Sequence, residues 1–358
     1  MAGAFRWMVN AGLLAIPVGT SIGVLVGLDA HRAATGQPPL FGNNPDNAGI
    51  PGIGGGSGGT GGGSTGGGGG GFSGVPSGNA VVTETYCQKS YGIEPSSKGE
   101  QFILNPNQWG VTDGETGGLC MNVTTFNNGT YPTKYTAPEF SVTWQYPVGP
   151  ETQPVHAFPN AEIGDNTLPV LMSDVQHLML DLEWTYGVGD EVAATTDTAQ
   201  LTQNSVQTNV AMDMFFDTDE ESSKDSEKAK CEVMIWFATF GQAAQAIGFK
   251  DGAVTTKNLD GTTFYLYVGK NGQGQNVFTW STLPGTQTDS ATNTMTESFH
   301  GDIMPLLTEL MSTNKENYPT TQDYMGHLSF GSEAFSSSTN VTFHVPTFAI
   351  QVEKTSSS

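Results

Sequence analysis

Arginine is almost missing from this 358-residue chain: Arg6 and Arg32 are the only two, and none lies beyond them. From Ala80 onward there are 11 lysines against 33 aspartates and glutamates, so that region carries the whole formal charge of -22. So acidic a surface repels phosphate backbones, which excludes nucleic acid as a partner. Without guanidinium forks it also lacks the usual grip on carboxylates and phosphates, so neutral, hydroxyl-rich substrates remain. Charge of either sign is scarce, at 13% of residues, against roughly 25% in a typical soluble domain. Together with 10% aromatics, that composition describes a folded domain and not a charge-driven disordered chain.

Cysteine is nearly absent too. Cys87, Cys120 and Cys231 show no zinc-ligand spacing. Cys87 and Cys120 bracket a loop near the domain start and can form one disulfide, which leaves Cys231 as a buried, inert thiol. The histidines (His31, His156, His177, His300, His327 and His344) are scattered without metal-ligand spacing, so no metal or cofactor is expected. His156 reads either as a border of the site or as a structural histidine. Asp217–Glu221 begins like a calcium loop, but Ser222 stands where that loop needs glycine and Lys228 where it needs glutamate. A solvated acidic loop is the reading there.

Only one long apolar run exists. Trp7 to Leu28 is 22 residues without a charge, long for a signal peptide and sufficient for a single-pass anchor. Secretion with cleavage and membrane anchoring through residues 7–28 both remain open, and both place the rest of the chain outside the cell. Residues 52–71 hold 15 of the 47 glycines and read as a flexible tether. The Gly-x-Ser-x-Gly match at 55–59 lies inside it, with no strand or helix around it, and is empty. The expected organisation is therefore a signal or anchor at 1–30, a linker at 31–79, one domain at 80–354 and a tail at 355–358. Asn122, Asn128 and Asn340 are candidate glycosylation sites, each in Asn-x-Ser/Thr.

Within the domain the apolar period is mostly two. In Gln207–Phe216, Val210, Met212 and Met214 share one face, and Asn209, Ala211 and Asp213 the other. Glu232–Trp236 points Val233 and Ile235 inward, with Glu232, Met234 and Trp236 on the opposite face. Residues 264–268, 277–280 and 341–345 alternate likewise between turn-forming segments. Ile303, Leu306, Leu307 and Leu310 follow the helical period behind Asp302, a candidate N-cap, with Pro305 in the tolerant first turn. Many strands with one short helix predict an all-β, antiparallel two-sheet jelly-roll sandwich. Trp236 is then either part of an exposed sugar-stacking face or the filling of a second core under a loop.

Two carboxyl groups facing one another are what glycoside hydrolysis needs. The best pair is Glu232, opening its strand, and Glu333 in Phe330-Gly-Ser-Glu-Ala-Phe335. Asn107-Gln-Trp-Gly110, Phe158-Pro-Asn160, Asn209-Val-Ala-Met-Asp213, Glu232-Val-Met-Ile-Trp-Phe237, Phe299-His-Gly-Asp302 and Gly331-Ser-Glu-Ala-Phe335 occur in this order. From about Tyr86 to Val352 the chain resembles glycoside hydrolase family 12, secreted endo-β-1,4-glucanases and xyloglucanases with a jelly-roll fold. The resemblance implies Glu232 as nucleophile, Glu333 as acid/base and Asp213 as the carboxyl beside the nucleophile. It implies Asn107, Trp109, Asn209, Met234 and Trp236 as substrate-binding residues. Ala334 and Cys231 depart from the family's proline and aromatic at positions expected to point away. The expected function is a retaining endo-hydrolase of cellulose-type glucan or xyloglucan, working as an extracellular monomer without cofactor. The alternative is a non-catalytic carbohydrate-binding protein on the same fold, which would need neither glutamate.

Overall fold

The computed structural model describes residues 81–355 apart from 91, 113, 165 and 285–293. The apolar segment 7–28, the glycine-rich linker 31–79 and the tail residues 356–358 lie outside the described residues. Thr355 is anchored, its N–H donating to the Asp174 carbonyl at 2.8 Å.

The described chain begins with β1 (Val81–Tyr86), β2 (Phe102–Asn105), β3 (Gly118–Phe126) and β4 (Glu139–Gln145). Then come β5 (Asn160–Ile163), β6 (Val170–Leu171), β7 (Val175–Val188) and helix α1 (Thr198–Gln203). The middle is β8 (Gln207–Asp217), β9 (Cys231–Phe240), β10 (Thr255–Leu259), β11 (Thr262–Lys270) and β12 (Asn276–Ser281). It ends with β13 (Thr294–Met295), β14 (Ser298–Asp302), α2 (Met304–Ser312), β15 (Tyr324–Gly331), β16 (Ala334–Ser336) and β17 (Val341–Lys354). The smaller sheet runs β1-β3-β4-β17-β7-β14, and the larger β10-β11-β12-β9-β8-β15-β5-β2, with β13, β16 and β6 as side pairings.

Period-two alternation puts one face of each sheet into a shared core. Val142 and Trp144 of β4, Trp184 and Tyr186 of β7, and Phe343 of β17 meet Val210, Met212, Phe237 and Phe330 from the larger sheet. Trp144 and Trp184 are both buried there. Cys231 is buried and unpaired, and burial pushes its thiol up to about 12. Cys87 and Cys120 are disulfide-bonded, tying the segment after β1 to β3. Of the glycosylation candidates, the Asn122 amide donates to Ser141 and the Asn340 amide to Asp190. Asn128 lies in the turn after β3, its side-chain oxygen accepting the Thr130 N–H.

Two features depart from the expectation. A second helix, α1, is present; it buries only Leu201, too little to show a period, and is held by Asp197, which accepts the Ala199 and Gln200 N–H groups. And one pairing is parallel: β12 lies beside β9 with Asn276 opposite Cys231 and Trp280 opposite Ile235. A parallel neighbour needs a crossover connection. Here residues 241–254 make it, returning the chain before β10. Helix α2 forms as predicted, although Ile303 is its N-cap; Asp302 still contributes by accepting the Met304 N–H at 2.9 Å.

Candidate active site

The larger sheet has a second face, turned away from the shared core, and its strand register decides what stands there. Across β8 and β9, Phe215 opposes Glu232, Asp213 opposes Met234 and Ala211 opposes Trp236. The register then shifts between Val210 and Ala211, with Phe237 as the extra residue, and Asn209 opposes Thr239. On the other side of β8, β15 sets His327 opposite Phe215 and Ser329 opposite Asp213. Further out, Glu162 and Asn160 of β5 oppose Ser329 and Gly331, and Ile103 and Asn105 of β2 oppose Glu162 and Asn160. One face thus carries carboxyl, amide and imidazole groups across five strands.

Glu333 sits between β15 and β16, and the shared core fixes its backbone from below. The Trp144 indole donates to Tyr186 Oη at 2.6 Å, and Tyr186 Oη lies 3.2 Å from Ser332 Oγ. Ser332 donates to the Asn209 carbonyl at 2.6 Å, and Thr208 to the Glu333 carbonyl at 2.7 Å. Asn209 holds the residue from both ends. Its Oδ1 accepts the Glu333 N–H at 2.9 Å and its Nδ2 donates to Glu333 Oε2. Fully buried, Asn209 spends its side chain on this clamp.

Part-buried Glu232 and Glu333 form a group of carboxyls with buried Asp213. Burial pushes Glu232 up to about 7, opposed by a hydrogen bond from Asp213 and the positive charge of His327. Burial and then the charge of Glu232 push Glu333 up to about 7, opposed by Asn209. Asp213 is held well above its usual range, by burial first, then by the charges of Glu232 and Glu333. Asp213 is therefore the protonated donor and Glu232 the acceptor, and Asp213 Oδ1 is sealed from solvent without a partner. Three carboxyls this close share protons and do not all ionise together.

The other predicted residues are less uniform. Asn107, with φ of 40°, turns the chain after β2, and Trp109 projects with 53% of its surface exposed. Backbone hydrogen bonds tie this turn to the Glu333 segment: Phe158 N–H to Asn107, Gly110 N–H to His156, and His156 N–H to Ala334, each 2.9 Å. His156 is structural. It is buried, one nitrogen against the Phe335 carbonyl and the other against Glu115, with Tyr146 stacked on its ring. Met234 and Trp236, on the strand that carries Glu232, are both buried. Trp236 is only 4% exposed, and both pack with Ala211, Ala246 and Tyr267 in a separate apolar cluster. The crossover segment 241–254 lies on them, with Phe249 against the same cluster. His327, Ser329 and Glu162 escaped the sequence reading. The alternation of Leu328 and Phe330 with His327, Ser329 and Gly331 was the available signal.

Residues 100–353 match the sequence profile of Glycosyl hydrolase family 12. The chain belongs to that family. A xyloglucan-specific endo-beta-1,4-glucanase A of Emericella nidulans is 26% identical over 251 residues, covering 70% of this chain and 85% of that protein. An inactive glycoside hydrolase of Phytophthora nicotianae is 25% identical over 242 residues, covering 68% of this chain and 83% of that protein. Among solved structures, family 12 endoglucanase 3 of Trichoderma harzianum superposes with a TM-score of 0.54 at 20% identity, covering 76% of this chain and 98% of that one. The last of these shows the jelly-roll fold. The family 12 match spans Asp213, Glu232 and Glu333 together.

Proposed function

We propose that this family 12 protein is a retaining endo-β-1,4-glucan hydrolase, with Glu232 as nucleophile and Glu333 as general acid and base. The observation that carries this is the pairing of each glutamate with its own partner on one sheet face. Asp213 donates to Glu232 and so supports its anion, while Asn209 occupies only Oε2 of Glu333. The Glu333 proton is thereby placed on Oε1, free to meet a glycosidic oxygen. Glu232 attacks the anomeric carbon as Glu333 protonates the departing oxygen, and the C–O bond to the leaving chain breaks. Glu333, now a carboxylate, takes a proton from the water that releases the glycosyl group from Glu232.

Trp109, exposed near Asn107, offers an aromatic surface to a sugar ring. Met234 and Trp236 back the nucleophile's strand from under the crossover. The relatives' names favour xyloglucan over plain cellulose. The similarity to an inactive hydrolase supports the non-catalytic alternative, but a pure binder has no use for Glu232, Glu333 and Asp213 together. Extracellular location, free or tethered through residues 7–28, is supported by the Cys87–Cys120 disulfide and the apolar N-terminus. A monomer suffices, since every group named belongs to one chain.

Reducing-sugar release from xyloglucan, carboxymethylcellulose and mixed-linkage β-glucan, side by side, tests the reading. Glu232→Gln is expected to remove turnover while circular dichroism stays that of the parent, and NMR of fresh product should show the β-anomer first. Activity surviving in Glu232→Gln assigns the nucleophile elsewhere, and an α-anomer first rules out retention.

A further inference from the structure

The crossover 241–254 touches both halves of the site. It leaves β9 beside the start of β8, where the Ala243 N–H donates to Gln207 Oε1 at 2.8 Å. Gln207 in turn opposes Ser336 of β16. Ala244, wholly buried, packs with Val155 and Phe335 in an apolar cluster of their own. Two residues on, Ala246 packs with Met234 and Trp236, which share β9 with Glu232.

Phe335 is the second residue after Glu333, and its main chain is held as firmly as its ring. Its carbonyl accepts from His156 Nδ1 at 2.7 Å, and the Ala334 carbonyl accepts the His156 N–H at 2.9 Å. The Ala334 N–H donates to the Ala157 carbonyl at 2.9 Å. Of the two sheet neighbours, β16 pairs with β8 and not with β9. Between the segment that carries Glu333 and the strand that carries Glu232, the crossover is therefore a bridge resting on two small side chains.

We propose that Ala244 is a positioning residue for Glu333: seated on Phe335 while Ala246 sits on Trp236, it sets where the acid/base stands relative to the nucleophile's strand. A larger side chain at this fully buried point has no space of its own and must push its neighbours aside. Phe335 then moves, and Glu333 with it, while β9 keeps Glu232 in register with β8. General acid catalysis needs the proton donor within hydrogen-bond reach of the leaving oxygen, and a misplacement of about 1 Å costs about 100-fold. The role rests on Glu333 being the acid/base.

The test compares kcat/KM of the full chain and its variants on two substrates, the glucan that the parent cleaves best and 2,4-dinitrophenyl β-cellotrioside. A sugar hydroxyl leaves only with a proton from the acid, whereas dinitrophenolate leaves without one. Ala244→Val is expected to lose roughly 10- to 100-fold on the glucan and less than about 3-fold on the aryl glycoside. Ala244→Gly, which adds no bulk, loses less but with the same preference. Ala246→Val, against the nucleophile's strand, lowers both alike, because attack by Glu232 is needed with either leaving group. Phe335→Leu makes room for the added methyls, so combined with Ala244→Val it loses less on the glucan than the two single losses multiplied. Equal losses on the two substrates in Ala244→Val, or no loss on the glucan in either variant at 244, overturn the proposal and leave Ala244 a packing role. If Glu333→Gln, run beside them, loses no more on the glucan than on the aryl glycoside, the acid/base assignment fails instead, so the two failures are told apart.

Discussion

At Glu333 function and stability pull against each other. The residue needs a proton at working pH, and burial next to Glu232 supplies the reason it keeps one, up to about 7. Above that pH the folded protein must hold a part-buried carboxylate beside that of Glu232. Glu333→Gln keeps the shape and still accepts from the Asn209 amide, but it cannot ionise. It is expected to raise the melting temperature at pH 8, by about 1–3 kcal/mol of stability, with the gain shrinking at pH 5. Turnover should fall about 10²–10⁴-fold through loss of the general acid. Scanning calorimetry at the two pH values checks the first and a sugar-release assay the second. A melting point at pH 8 below that of the parent would mean that Glu333 does more for the fold ionised than burial costs it.

Among the elements, the crossover 241–254 decides what the open face of the larger sheet can be. It exists because β12 is parallel to β9, and it closes over Met234 and Trp236 where an antiparallel hairpin would have left them bare. Gly248 lets it turn: its φ is 85°, and a Cβ there would lie 2.2 Å from the Val268 carbonyl oxygen. Gly248→Ala should cost about 1–3 kcal/mol in urea unfolding and shift tryptophan emission to the red as Trp236 gains water; unchanged stability and emission would show that the crossover does not depend on this turn. The same element marks the limit of what the sequence discloses. Alternation assigned Val210, Met212 and Met214 to the core and Asn209, Ala211 and Asp213 to the other face, because a strand's period is a local property. Glu232 and Glu333 were recognisable for the same local reason, as short motifs. Whether Trp236 is open or covered depends on the path of residues 241–254, and pairing partners are not written in a strand's own residues. His327 was hidden for a related reason: its meaning lies in Glu162, 165 positions away.

For the whole molecule, the carboxyls of the site and one histidine are perturbed upward, and a few surface carboxyls downward. Burial raises Glu232 and Glu333 to about 7 and Asp213 upward, and hydrogen bonding to Asp302 raises His177. A group raised in the folded state contributes stability that is full below its unfolded pKa and is lost as pH rises through the folded one. For the two glutamates that window runs from about 4.3 to about 7; for His177 it opens near 6.5. Glu115, Asp219 and Asp225 have the opposite sign: hydrogen bonds lower them, so their contribution is present above about 4 and is lost as pH falls further. Self-repulsion among 33 carboxylates facing 11 lysines adds to the loss at higher pH. The melting temperature is therefore expected to peak at about pH 5, to fall steadily toward pH 8, and to recover part of that fall in 0.5 M salt, where exposed charges are screened. Calorimetry from pH 3 to 9 at low and high salt checks this. A curve that is flat, or highest at pH 8, would mean that these carboxyls ionise at little cost in the free protein, and Glu333 would then take up its proton from solvent only once arriving substrate displaces water and disfavours the carboxylate.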